Sequence, residues 1–355
     1  MKPCRQPVPS SSPRQRARSS VSWSAAATVV WVCVPVVTLT VATIIHWARN
    51  PGRARSHHRN AVMVHFYGAP AMALLTVGAG TLLLGRDVIG EQAAVTIDAV
   101  LWGLGTVMGL ATAVIVPYLM FTRLPVATDG AFGGWLMPLV PPMVSASIGA
   151  LLVPFAPAGQ PQLTLLLACY GMFGLSLVAS LIVIVLIWQR LTVNKVGPAL
   201  MVPTLWIVLG PLGQSATAAN LLGGNAHLVV SPSLAAAMES FGLLFSVPIL
   251  GFAALWAAIA LAITLQTIRR RLPFSLTWWS FTFPVGTCVT GLSGVALHTG
   301  SVVASVLAVA TFGVLVGAWA VVGMRTVRGS LVTGRLFLPP APVPALLAAD
   351  AGQGD

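Results

Sequence analysis

Nine apolar stretches, each about as long as a helix that crosses a bilayer, follow one another along this chain and leave little room for anything else. They run over approximately 24–46, 62–84, 94–121, 133–155, 162–188, 199–223, 234–265, 275–298 and 301–324. Helices apolar on every side have no face for water. The charge content agrees: 7% of the 355 residues are Asp, Glu, Lys or Arg, against about 25% in a soluble domain. The predicted fold is all-α, a polytopic membrane protein with nine transmembrane helices. Residues 1–22 form a basic segment of disordered composition, 23–330 the transmembrane domain, and 331–355 a Pro/Ala-rich tail of disordered composition.

The net charge of +12 does not point to nucleic acid, because the basic residues stand between apolar runs, where loops at the cytoplasmic face put them. Cys4, Cys33, Cys169 and Cys288 are scattered, without the close spacing of a redox or zinc motif. No HExxH, GxSxG or Walker loop occurs. An enzyme, a metal and a cofactor are therefore not expected.

Basic residues set the orientation. Arg49, Arg53, Arg55 and Arg59, then Arg123, then Arg190 and Lys195, then Arg269, Arg270 and Arg271, then Arg325, Arg328 and Arg335 fall on one side. Thirteen lie there and only Arg86 lies opposite, so the first side and the C-terminus are predicted to be cytoplasmic. With nine spans the N-terminus is then outside, yet residues 1–22 carry Lys2, Arg5, Arg14, Arg16 and Arg18. Either a basic tail is translocated or a helix belongs before the first span. The second reading is favoured, since every other loop obeys the rule.

The second, fourth, sixth and eighth spans all start on the basic side, and each carries proline among aromatic, glycine and small residues: "HFYGAPAM", "GWLMPLVPPM", "MVPTLWIVLGPLG" and "WWSFTFPVG". Pro70, Pro141, Pro211 and Pro284 are separated by 71, 70 and 73 residues, one helical hairpin each. Such a repeat predicts inner helices bent at one depth around an axis, with straighter helices outside facing lipid. Proline merely tolerated in membrane helices is the competing reading. The first span reads as an outer helix without its inner partner. Pro284 is also expected to push Phe283 out of helical geometry.

The segments "HHRNAVMVHFYGAPAMALLTVGAGTLLLG", "GWLMPLVPPMVSASIGALLVP", "VPTLWIVLGPLGQSATAANLLG" and "FSLTWWSFTFPVGT" resemble the tellurite-resistance/dicarboxylate transporter (TDT) family. That family includes the bacterial TehA proteins, yeast malate permeases, fungal sulfite efflux pumps and plant slow-type anion channels. The resemblance implies ten helices, as five hairpins around a central anion pore, in a plasma-membrane homotrimer. It implies a phenylalanine plugging the pore from the ninth family helix, with Phe283 as the best match and Phe281 as the second. The family's first pore-lining helix has no counterpart in this sequence.

A path for anions needs weak, distributed attraction, because a fixed buried cation binds too tightly and is costly in the membrane. Hydroxyls on the proline-bearing helices suit this: Ser145, Ser147, Ser215 and Thr217 are candidate lining residues, against the commoner role of packing helices. His65, Arg269, Arg270 and Arg271 are candidates for drawing anions to the cytoplasmic mouth, though the arginines serve mainly as topology anchors. Asp98, Glu239 and His298, near the outer ends of their spans, are read as reaching water. The implied partners are a small anion and the lipid bilayer, with no nucleic acid. The expected function is an anion transporter or channel, for C4-dicarboxylates such as malate. The alternatives are a sulfite or tellurite efflux protein and, from a different class, a truncated non-conducting membrane scaffold.

Overall fold

The computed structural model describes residues 62–334, together with a few isolated positions between 38 and 52. The N-terminal segment, nearly all of the first span and the C-terminal tail from 335 onward lie outside the described residues. What is described is helical throughout and built of four hairpins. These are α1 (Gly68–Ile89) with α2 (Glu91–Thr122), α3 (Pro141–Leu152) with α4 (Gln160–Asn194), α5 (Leu209–Asn225) with α6 (Pro232–Arg269), and α7 (Phe283–Thr299) with α8 (Val302–Val327). Three hairpins turn at a glycine of positive φ: Gly90 at 86°, Gly159 at 91° and Gly300 at 65°. A residue with a Cβ would be strained at each turn.

Seven helices among the described residues are long and apolar enough to cross a membrane. The fourth predicted span is different. It is a 3₁₀ turn at Gly133–Leu136, the twelve-residue α3, and a second 3₁₀ turn at Val153–Phe155. Pro138, Pro141 and Pro142 interrupt the hydrogen-bond ladder that one long helix would need.

A 3₁₀ lead precedes every odd-numbered helix: Met63–Tyr67, Gly133–Leu136, Ala199–Val208 and Leu276–Phe281. The repeating prolines stand where lead gives way to α-helix. Pro141 opens α3, Pro284 is the second residue of α7, and Pro70 and Pro211 are third in α1 and α5. Proline in a first turn largely avoids the roughly 3 kcal/mol it costs in a helix interior. The prolines thus mark the change from 3₁₀ to α-helix within the inner spans. The irregular residue near Pro284 is Thr282, with φ −104° and ψ −79°, whereas Phe283 is already helical. The expected displacement therefore falls one residue earlier.

Backbone carbonyls of the inner row take side-chain donors from the outer helices, as a chain without water requires. Pro142 has no N–H and the Met143 N–H donates to Val140 O, which leaves Leu139 O available. The Ser176 hydroxyl of α4 donates to it at 2.5 Å. The Trp256 indole N–H of α6 donates to Leu205 O of the third lead at 2.8 Å, and the Trp102 indole N–H of α2 donates to Ser145 O at 2.9 Å.

The odd-numbered helices form the inner row. α3 touches both α1 and α5, and α5 touches α7. α3 and α5 are buried along nearly their whole length. At the crossing of α5 and α7, a Cβ on Gly213 would lie 2.5 Å from the Cys288 backbone nitrogen, so only glycine permits the approach. The even-numbered helices present Val107, Val114, Phe121, Val185, Leu244 and Val309 outward, as lipid-facing helices should. The ends that carry Arg123, Arg190, Arg269–Arg271 and Arg325 share one side of the bundle.

Candidate functional site

On the basic side, among the starts of the inner helices, a cavity of about 760 Å³ opens. Its wall comes from α1, α5, α7 and the leads, with Phe66, Thr76, Thr204, Gly210, Thr282 and Phe283 among the lining residues. Most of the wall is hydrocarbon, relieved by hydroxyls. Among the described residues, no basic side chain lines it. Arg269, Arg270 and Arg271 are exposed where α6 ends and the chain turns toward α7.

Phe283, the first residue of α7, is 36% exposed and lines the cavity. Its ring leans toward α5 at Gly210, where a Cβ would lie 4.0 Å from Phe283 Cε1. Phe281 points elsewhere. It packs edge-on against Trp206, with centroids 5.6 Å apart, and against Trp278 at 5.6 Å. Trp278 in turn meets Phe274 at 5.5 Å and lies beneath the Arg325 guanidinium at 4.7 Å. The two phenylalanines are only two residues apart, yet one belongs to the cavity and the other to an aromatic cluster that holds the fourth lead.

The candidate lining hydroxyls separate as well. Ser145 and Ser215 are fully buried at helix contacts; the Ser215 hydroxyl donates to Leu212 O at 2.8 Å. Thr217 shares a hydrogen bond with Thr290 of α7, the oxygens 2.7 Å apart. Thr290 is exposed and lies two turns from Phe283 on one face of α7. Ser147 is buried and accepts from Gln214 Nε2, tying α3 to α5. Periodicity along α7 could have singled out Thr290, at 283 plus seven. Gly210 and Gln214 carried no such signal, because each acts through a residue distant in sequence.

His65 is not at an open mouth. It is fully buried in the first lead, with its ring near those of Phe132 at 5.6 Å and Trp135 at 6.2 Å. The lead folds it inward against these rings. Asp98 is likewise buried rather than reaching water. Glu239 and His298 do lie near the surface, 3.8 Å apart. Among the described residues, no three His, Cys, Asp or Glu side chains gather as metal ligands.

A bundle of apolar hairpins, its inner helices broken at their starts around a cavity on the basic side, defines a multi-pass membrane protein of the transport class. Residues 14–327 match the voltage-dependent anion channel (SLAC1) family, and the chain belongs to that family. An uncharacterized transporter of Methanocaldococcus jannaschii is 24% identical, over 83% of this chain and 82% of the relative. The sulfite efflux pump SSU1 of Arthroderma otae is 28% identical, over 67% and 64%. That of Candida albicans is 24% identical, over 80% and 64%. The chain is accordingly a transmembrane anion transporter of the kind this family comprises, set in the membrane by several spans.

Proposed function

We propose that this protein carries small oxyanions of the sulfite type across the plasma membrane, outward from the cytoplasm, along the inner row of helices, with Phe283 as the gate. The observation that carries the reading is the half-exposed Phe283 ring at the cavity wall, leaning toward a glycine on the facing helix. An apolar ring at a narrow point excludes water and hydrated ions. The low charge of the wall supports passage rather than capture, while the exposed arginines 269–271 raise anion concentration near the entrance. The sulfite efflux pumps among the relatives favour sulfite. A C4-dicarboxylate such as malate is the competing substrate. The basic side is the cytoplasmic one on this reading, and the working unit is a homotrimer.

Proteoliposomes loaded in turn with sulfite, malate, succinate, nitrate and chloride test this. Sulfite flux is expected to exceed malate flux. Phe283→Ala is expected to raise the flux about tenfold, the effect of removing about 1.4 kcal/mol of barrier. Unchanged flux in folded, inserted Phe283→Ala would remove the gate assignment. Absence of flux for every anion would leave a non-conducting membrane scaffold.

A further inference from the structure

Asp98 is the one acidic side chain among the described residues with no solvent exposure. It lies on α2, and neither carboxyl oxygen has a hydrogen-bond partner among the described residues. Its seat is made by α1. A Cβ at Gly78 would stand 2.5 Å from Asp98 Oδ1 and 3.2 Å from Leu101 Cβ, so the absence of a side chain at 78 is what admits the carboxyl group. An ionised carboxylate here would have lost its hydration and gained neither donor nor cation.

Among the described residues, the surrounding elements offer no charge to balance it. From Gly68 to Gly85, α1 carries no ionisable side chain, and neither does α3. The part of α4 that begins the span carries Cys169 and Tyr170, both without charge at neutral pH. On α2 the next acid is Glu91, about two turns away and already paired with Arg86 at 2.5 Å; Asp87 lies beside Arg86 at the far end of α1. Other faces of the same α1 place Ala69, Ala73 and Thr76 on the cavity. A charge appearing at Asp98 therefore acts directly on a helix that forms the wall.

We propose that Asp98 is a proton-binding site, neutral in the arrangement described, whose protonation fixes the packing of α1 on α2 and so makes anion flux depend on pH. The carboxylate takes one proton from water to become the carboxyl group and returns it to water on ionising. No other group changes. The dependence of flux rests on the transport reading above, whereas the proton site itself does not.

Two measurements on the full-length protein test it. In infrared difference spectra between acid and alkaline pH, the carbonyl stretch of an un-ionised carboxyl group is expected to appear on acidification, shift in D₂O and be missing from Asp98→Asn. An unchanged band in Asp98→Asn would overturn the site. In proteoliposomes, sulfite flux of the wild type is divided by that of Asp98→Asn at each pH, which cancels the titration of sulfite, with nitrate as a probe of fixed charge. Asparagine imitates the neutral acid, so the ratio is expected to be one at acid pH and to depart from one several-fold at alkaline pH. A ratio that stays constant across pH would overturn the link to flux. Gly78→Ala, which crowds Oδ1, is expected to move the pH at which the ratio departs, and no movement would count against the cradle. Should the wild type pass no anion, the transport reading fails alone and the infrared result still decides the proton site.

Discussion

A ring and an absent side chain face each other at the cavity wall. Gly210 would place a Cβ 4.0 Å from Phe283 Cε1, an ordinary contact, so an alanine fits there. Valine does not fit as easily, because its methyls extend beyond Cβ into the space the ring needs to move. Gly210→Val is therefore expected to lower anion flux several-fold by pinning the ring. The effect should nearly vanish in a Phe283→Ala background, since residues in contact are coupled and their effects do not add. Flux of the two single variants and the double variant in proteoliposomes checks this; additive effects would mean that the two residues act separately. Sequence reading could rank Phe283 over Phe281 only through the family resemblance. The physical distinction is tertiary: Phe281 fills the space between Trp206 and Trp278, which come from different elements. The same limit explains His65 and Asp98, whose burial depends on partners about 70 residues away for His65 and on the facing helix for Asp98.

At the level of elements, the inner helices are two-part structures, a 3₁₀ lead followed by α-helix. Their proline spacing was readable in the sequence because the hairpin length is nearly constant. Their form was not, since proline alone does not say whether a helix kinks or changes type. What permits the leads in a membrane is the set of donors on neighbouring outer helices, and these come from positions that look like ordinary lipid-facing Trp and Ser. Trp256 is one. It is buried, and its indole N–H supplies Leu205 O. Trp256→Phe keeps most of the ring but removes that donor. The expected loss is about 1 kcal/mol, the scale of hydrogen bonds between helices in membranes. It should appear as a lower melting temperature in detergent with flux largely retained. A variant as stable as the wild type would show that the carbonyl finds another partner. The fourth span shows the converse. Hydropathy registers one apolar run over 133–155, while the prolines within it divide that run into three short helical pieces.

For the whole molecule, hairpin count and charge asymmetry belong together. An even number of described helices, each pair antiparallel, puts every inner-helix start on the side that holds Arg123, Arg190, Arg269–Arg271 and Arg325. The hairpin turns at Gly90, Gly159 and Gly300 fall on the other. The basic side should face the cytoplasm because retaining Lys and Arg there governs insertion. Cysteine labelling can test the orientation without disturbing the cavity. Cys169 and Cys288 are buried, and Cys4 and Cys33 can be replaced by serine. Ala158, exposed in the turn before α4, and Arg270, exposed after α6, each then receive a single cysteine. In intact cells a membrane-impermeant maleimide is expected to label Ala158→Cys and not Arg270→Cys, and in inverted vesicles the pattern should reverse. Labelling of Arg270→Cys from outside would invert the assignment. The arginines would then stand at the exit of an outward path rather than its entrance, and the proposed direction of transport would lose its electrostatic support.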